Sequence, residues 1–246
     1  MTDKPRYGPA PVLTPQSGRR VDVVPQRMGG LSLTSDRSRT NLVARLQTLN
    51  ISHPKALSVI GKVPRHLFVD EAFASRSYED AALPIGHQQT ISRPYTVARF
   101  IEHALHNRQS IDRVLEVGAG CGYQAAVFSE ISRQVVSIER IGALYDKARR
   151  NLDGAGYSHV KLVHGDGLLG YPDFAPFDVI IVAAAGLDAP PALLKQLRIG
   201  GRLIVPVNHQ NHQVLVTVDR LAENKWHREN RDTVKFVPLL QGTRAV

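Results

Sequence analysis

The sequence predicts a doubly wound α/β fold built on a mainly parallel sheet, and three features predict it. From residue 114 onward, short apolar strands alternate with helix-patterned segments, which puts helices on both faces of one sheet. One of these strands, residues 177–182, runs into the continuous apolar stretch Val179-Ile180-Ile181-Val182, as a strand buried on both faces should. Val114-Leu115-Glu116-Val117-Gly118-Ala119-Gly120-Cys121-Gly122-Tyr123-Gln124 reads as strand, glycine-rich turn and helix. Open α/β sheets bind ligands at such junctions, at a strand's carboxyl end.

Residues 1–36 are rich in Pro, Gly, Ser and Arg without an apolar period and are expected to form a disordered basic extension. Residues 37–246 then make a single domain: a helical and loop part over 37–110, a ligand-binding core over 111–207 and carboxyl-terminal strands over 208–246. Ser35-Asp36 is the expected cap of the first helix, with Leu42, Val43, Leu46 and Leu49 at helical spacing. A short helix follows over 54–61. Val63-Pro64-Arg65 then breaks into Leu67-Phe68-Val69, an apolar patch suited to packing under a loop. Residues 81–94 read as a long polar loop, a kind often functional inside a compact domain. Pro94 opens a helix with Val97, Ile101, Ala104 and Leu105 on one face. Strands are expected over 113–117, 134–138, 160–164, 177–182 and 202–207, with helices over 123–131, 141–152 and 191–197. Residues 214–220 and 233–237 look like an antiparallel pair joined through 221–232.

A chain of 246 residues, 43% hydrophobic and 22% charged, has the composition of an ordinary soluble protein with one large core. Its one cysteine excludes an internal disulfide and suits a reducing compartment. The longest apolar run, 179–187, is too short to span a bilayer. No basic segment precedes an apolar stretch near residue 1, so no secretory signal is seen and a cytoplasmic location is expected. The formal charge is +9, and residues 1–40 hold seven Lys or Arg against three Asp, a net of +4, leaving +5 for the rest. Much of the excess thus lies in the extension and is read as a solvated surface, with no specific nucleic-acid site.

The glycine spacing is G-x-G-x-G. A dinucleotide fingerprint needs a glycine at 123, where Tyr123 stands. Gly118, Gly120 and Gly122 let a ligand approach the backbone, and the following helix start presents free N–H groups. Glu116 would repel a pyrophosphate, but it suits the ammonium at the methionine end of S-adenosylmethionine. Cys121 offers a small side chain beside the ligand, without a neighbouring base that would make it a nucleophile. Glu139, 19 residues past Gly120 (139 − 120), can accept hydrogen bonds from ribose hydroxyls; the competing reading is an ion pair with Arg140 or Lys147. In Gly165-Asp166-Gly167 the acid can accept from an adenine amine, with Gly165 and Gly167 bringing backbone close to the ring, although Asp-Gly is also an ordinary turn. These three ligand-edge features, in register at the ends of the first three strands, reinforce one another as a nucleoside site. After the 177–182 strand, Ala183-Ala184-Ala185-Gly186 offers nothing to hold an amine, so the acceptor's polar contacts should come from the 87–92 loop. No metal site is expected: His209 with His212, and His103 with His106, do not supply three or four converging ligands.

With these residues in view, the chain resembles the protein-L-isoaspartate O-methyltransferases, particularly bacterial ones, over about residues 36 to 242. The most specific segments are Val63-Pro64-Arg65 with Phe68-Val69-Asp70, Leu83-Pro84-Ile85-Gly86 through Gln89-Thr90-Ile91-Ser92, and Phe236-Val237-Pro238-Leu239. The resemblance implies a Rossmann-like, S-adenosylmethionine-dependent enzyme of the cytoplasm. Such an enzyme methylates the α-carboxylate of L-isoaspartyl residues in damaged proteins and peptides, after which the ester closes to a succinimide. It implies Thr90, Ile91 and Ser92 as substrate contacts, Ser92 as the active-site serine, and Glu139 and Asp166 as cofactor contacts. It also implies isoaspartyl proteins and peptides as partners, with no membrane and a monomeric chain, and a different order of the last sheet strands from most methyltransferases. Two positions depart from the pattern: Gln88 stands where many relatives have glycine, and Leu240 where some carry a polar residue. The expected chemistry is direct displacement at the methyl group, without a general base, because a carboxylate with a pKa near ~4 is already ionised at neutral pH. Two rival functions are an RNA or DNA methyltransferase, suggested by the basic charge, and a non-catalytic cofactor-binding module that recruits partners through its tail.

Overall fold

The structure, a computed structural model, describes residues 29–245, with side chains from residue 36 onward. Helix α1 (Gly29–Thr48) begins upstream of Ser35-Asp36, so that pair is not its cap. No proline lies between Pro25 and Pro54 to stop the helix from extending. The extension expected over 1–36 otherwise lies outside the described residues. Helix α2 (Pro54–Lys62) has proline in its first turn and is capped by His53, whose Nδ1 accepts from the Lys55 N–H at 3.2 Å. It stops where Pro64 forces Val63 into an extended conformation.

The polar loop expected over 81–94 is instead a β-hairpin, β1 (Leu83–Gly86) paired antiparallel with β2 (Gln89–Ile91). Leu83 and Ile85 point inward and Pro84 and Gly86 outward, a strand period disguised by two residues rarely found inside strands. The turn is His87-Gln88, both left-handed at φ of 52° and 60°. Helix α3 (Pro94–Leu105) follows at once and packs against α2.

The core is a seven-stranded sheet. Along the chain come β3 (Ile111–Val117), α4 (Tyr123–Ser129), β4 (Ser132–Glu139), α5 (Gly142–Gly154), β5 (Lys161–His164), β6 (Phe177–Val182), α6 (Pro191–Lys195), β7 (Leu197–His209), β8 (His212–Ala222) and β9 (Lys225–Val234). Their order in the sheet is β5-β4-β3-β6-β7-β8-β9. The first five are parallel, and β8 runs antiparallel to its neighbours β7 and β9. Successive side chains of a strand serve opposite faces: Val114 packs in the core beneath α3 and α4, and Leu115 in the core on the other face with Ile180 and Leu203. Each such aliphatic side chain withdrawn from water contributes roughly 1.5–3 kcal/mol. Because the chain leaves β3 toward β4 and returns to β6 on its other side, a crevice opens at the carboxyl ends of β3 and β6.

Two carboxyl-terminal expectations need correction. The final strand is Lys225–Val234 rather than 233–237, and only Glu223-Asn224 separates it from β8. As the sheet's edge it is mostly exposed and carries the charged run Arg228-Glu229-Asn230-Arg231-Asp232, which hides its strand character. Strand β7 begins at Leu197, so α6 spans only five residues and Gly200-Gly201 fall inside the strand, where its register with β6 shifts. The last three strands sit in sequence order. No helix among the described residues is long and apolar enough to cross a membrane.

Candidate active site

The crevice at the ends of β3 and β6 is walled by the glycine turn, the tips of β3 and β4, the β1–β2 hairpin and the residues after β9. Gly118, Gly120 and Gly122 all have positive φ. The turn hangs from the next strand: the Gly118 and Ala119 N–H groups both donate to the Ile138 carbonyl, at 2.8 and 3.1 Å. A Cβ on Gly122 would meet Leu152 Cγ at 3.0 Å, so this third glycine serves the approach of α5.

Two glutamates line the crevice. Glu139 accepts from the Gly120 N–H (2.8 Å) with one oxygen and from the Ile141 N–H (2.9 Å) with the other. Arg140 and Lys147 turn elsewhere, to the Gly242 carbonyl and to Asp70, so the ion-pair alternative for Glu139 is not what forms. Burial raises its pKa, partly offset by those backbone donors. Glu116 is completely buried. The Ser137 hydroxyl donates to its Oε2, while Oε1 has no hydrogen-bond partner among the described residues. Burial pushes this carboxyl up to about 8, so at neutral pH it is mainly protonated. Beside it lies buried Gln124, whose amide makes no hydrogen bond of good geometry among the described residues but is near enough to favour the ionised form of Glu116. Cys121 lines the same wall, its thiol pushed up to about 11 by burial, and is inert at neutral pH.

Past β9 the chain forms a strap across the strand tips. Ala185 donates to the Val237 carbonyl and Leu239 to the Ala185 carbonyl, both at 2.8 Å. Farther on, Gly142 N–H donates to Arg244 O at 3.0 Å and Arg244 N–H to Arg140 O at 2.8 Å. Asp166 belongs to this strap: its Oδ2 accepts from Gly242 N–H at 2.7 Å and its Oδ1 from Leu168 N–H at 2.9 Å.

A second cavity adjoins the first, between α3 and the segment following β9, and the two share Thr90, Ser92, Ala183 and Val237. Its walls carry Arg93, Arg99 and Lys235 against a single acid, Asp232. Asp232 accepts from His103 at 2.9 Å and from Arg99 at 3.1 Å, which hold its carboxyl down to about 2. The Thr90 and Ser92 hydroxyls have no protein partner among the described residues, and Arg93 rather than Ser92 occupies the cap of α3. Neither cavity has a histidine in its walls.

Comparison with known proteins identifies this arrangement. The family model described as protein-L-isoaspartate(D-aspartate) O-methyltransferase (PCMT) matches residues 37–244. The chain belongs to this family. Protein-L-isoaspartate O-methyltransferase from Burkholderia cenocepacia (strain HI2424) is 52% identical over 216 residues, 87% of this chain and 69% of the relative. The enzyme from Burkholderia mallei (strain SAVP1) is 53% identical over 215 residues, 87% of this chain and 66% of the relative. Among solved structures, a protein-L-isoaspartate O-methyltransferase matches with a TM-score of 0.73 at 30% identity, over 81% of this chain and 65% of that one. The beta-aspartate methyltransferase PCMT from Plasmodium falciparum, in complex with S-adenosyl-L-homocysteine, has the same fold: TM-score 0.71, 22% identity, over 82% of this chain and 98% of that one.

Within this family member, Glu116, Gly118, Gly120, Cys121 and Glu139 converge on the first cavity, with Thr90, Ile91 and Ser92 on its hairpin wall. Gly122, Gly165 and Asp166 do not line it. Of the two glycines expected to bring backbone close to the ring, Gly167 does line it; a Cβ there would lie 2.3 Å from Val117 Cγ1. Gln124, Arg140 and the strap residue Leu239 also line the cavity and were not read from sequence as cofactor contacts, while Leu240, the departure that bears on the carboxyl-terminal cofactor contact, lines it as well. For Gln124 the signal was present, as the first amide side chain of the helix that opens after the glycine turn. For the 236–240 segment the only signal was the family resemblance, since only the tertiary fold brings the carboxyl terminus across the strand tips.

Proposed function

We propose that this protein transfers a methyl group from S-adenosyl-L-methionine to the α-carboxylate of L-isoaspartyl residues in damaged proteins and peptides. The observation that carries the reading is the meeting of two unlike cavities at Thr90, Ser92, Ala183 and Val237. One is lined by acids and glycines and suits a cationic nucleoside. The other is lined by cations and suits an anionic acceptor.

The residues present fit the cofactor. Glu116 Oε1 and the Gln124 amide are buried polar groups without a well-formed hydrogen bond among the described residues, a cost of about 1–3 kcal/mol for each such group unless a ligand satisfies it. Together they can receive an ammonium and a carboxylate. Glu139 uses one lone pair on each oxygen for backbone donors, leaving acceptor capacity for two ribose hydroxyls. Ile138, Leu144 and Leu239 supply apolar wall for a purine ring. When bound, the cofactor supplies a methyl group on a cationic sulfur.

The chain's own residues then align and exclude. The acceptor carboxylate is ionised at neutral pH, so it needs orientation and no base, in keeping with walls free of histidine. Thr90 and Ser92 are free to donate to it, at the boundary it must cross. The three alanines after β6 leave room there without competing donors. Alignment and exclusion of water carry the rate.

This reading makes the protein a monomeric cytoplasmic enzyme of isoaspartyl proteins, with no role for membrane or specific nucleic acid. Its single cysteine suits a reducing compartment. A domain over 37–246 is supported by the family match, which begins at residue 37. The test is methyl transfer to three substrates side by side: an isoaspartyl peptide, its aspartyl isomer and RNA. Transfer confined to the isoaspartyl peptide is expected. Equal transfer to the aspartyl isomer, or preference for RNA, would refute it.

A further inference from the structure

Arg65, at the start of the short 3-10 helix Arg65–Phe68, is a completely buried cation that packing does not account for. Its Nε donates to the Ser77 carbonyl at 2.9 Å and its Nη2 to the Ala81 carbonyl at 3.4 Å, while Nη1 makes no well-formed hydrogen bond among the described residues, the Tyr123 hydroxyl being near enough to favour the charge. No carboxylate ion-pairs with it among those residues. Asp80, which acts on it only through space, gives its oxygens to Arg93 Nη2 (2.5 Å) and the Tyr95 N–H (2.9 Å). Burial accordingly lowers the Arg65 pKa from its ordinary value. An apolar side chain of similar length would fill this space without desolvating a charge.

The neighbours supply a reason for the charge. Ser77 and Ala81 bracket Asp80, and through Asp80 the same loop holds Arg93 and Tyr95, the residues one and three places after Ser92. Ala81 leads directly into the β1–β2 hairpin that carries Thr90, Ile91 and Ser92. On its other side the guanidinium lies 4.8 Å from the ring centroid of Tyr123, a wall residue of the cofactor cavity at the start of α4. One rigid fork thus touches both the loop that feeds the acceptor hairpin and the helix that follows the glycine turn. We infer that Arg65 is a positioning residue for methyl transfer, setting the Thr90–Ser92 hairpin in register with the glycine turn. Only a guanidinium can hold two carbonyls in a fixed plane while stacking on an aromatic ring. The inference rests on the proposed methyl-transfer reading, because its consequence is the alignment of acceptor and donor.

The experiment uses the full chain with Arg65→Met and Arg65→Lys. Thermal unfolding, S-adenosylhomocysteine affinity, kcat and KM on an isoaspartyl peptide, and amide hydrogen exchange are measured for each. Arg65→Met should bind S-adenosylhomocysteine within about twofold of wild type, yet lose about ten- to a hundredfold in kcat, as expected for misalignment of reacting groups. KM should change little. Exchange should quicken over residues 77–93, with β3 and β6 still protected. Arg65→Lys keeps the charge without the fork and should show the same loss in smaller measure; it also serves if the methionine variant does not fold. A kcat per folded molecule equal to wild type in the variants that fold would overturn the inference, as would a defect confined to S-adenosylhomocysteine affinity. If wild type itself fails to methylate the peptide, the functional reading falls. Unchanged exchange over 77–93 would instead count against Arg65 alone.

Discussion

Replacing Glu116 by glutamine tests the electrostatics of the cofactor cavity most directly. Burial pushes this carboxyl up to about 8, against about 4.3 for an exposed glutamate. The raised value fixes the sign: below about pH 4.3 folding is unopposed by this group, and that stability is lost progressively as pH rises to about 8. Over this window the folded state binds more protons than the unfolded one, so stability falls by up to ~1.4 kcal/mol per pH unit, reaching roughly 3–4 kcal/mol at pH 7. Glutamine stays neutral, can still accept from Ser137, and can offer its amide hydrogens to the Gln124 oxygen.

Urea unfolding of wild type and Glu116→Gln from pH 5.5 to 7.5, without cofactor, should therefore give curves that diverge by about 2–3 kcal/mol, the variant being the more pH-independent. Titrations common to both proteins cancel in the difference. Glu139, whose charge also disfavours ionisation of Glu116, is a neighbour whose own titration can shift between them. S-adenosylhomocysteine should bind Glu116→Gln more weakly, and its binding to wild type should release close to one proton at pH 7, measured by calorimetry in buffers of different ionisation enthalpy. Parallel stability curves would show that Glu116 is ionised in the folded protein, and the reasoning from burial would fail.

Three further outcomes are expected. Ser92→Ala should lower kcat on an isoaspartyl peptide and leave S-adenosylhomocysteine affinity within a few-fold; since Arg93 caps α3, thermal stability should barely move, and a wild-type single-turnover rate would remove Ser92 from the reaction. Glu139→Ala should weaken S-adenosylhomocysteine binding by about 1.5–3 kcal/mol, and unchanged calorimetric affinity in a folded variant would remove Glu139 from the cofactor site. Gln88→Gly relieves a left-handed residue at φ 60° and should raise stability by about 1 kcal/mol, less the entropy glycine adds to the unfolded chain; a lower urea midpoint would show that the Gln88 side chain stabilises the hairpin.

Much of the fold was legible because parallel strands buried on both faces carry their own signal: residues 177–182 are the observed β6 to the residue. Where strands meet solvent that signal fades. The hairpin beginning at Leu83 was obscured by Pro84 and Gly86, and β9 by its charges. The position of Glu116 could be read from the motif. Its protonation could not, because that depends on how completely Ser137, Gln124 and the strand tips exclude water. Asp166 shows another limit. Gly-Asp-Gly marked the right strand end, but the partner that takes its Oδ2 is Gly242, 76 residues away (242 − 166), and no local pattern encodes that contact.

The distribution of charge gives the site its logic. A formal excess of +9 would set a uniformly basic protein against its own cationic cofactor. Here the cofactor cavity is lined by Glu139 and by the neutral Glu116, which can release its proton when a cation arrives, and the lining cation Arg140 directs its Nε to the Gly242 carbonyl. The acceptor groove instead concentrates Arg93, Arg99 and Lys235 against Asp232. In the groove Arg93 and Arg99 are held by Asp80 and Asp232, whereas Lys235 has no ion pair among the described residues and is the cation most available to an incoming anion. Cation and anion are thus drawn into neighbouring compartments that touch at Thr90, Ser92, Ala183 and Val237. Their reaction neutralises both charges, since transfer of the methyl leaves a neutral thioether and a neutral ester. Each product is then less favoured by the compartment that attracted its precursor, so the field that assembles the reactants also assists their release.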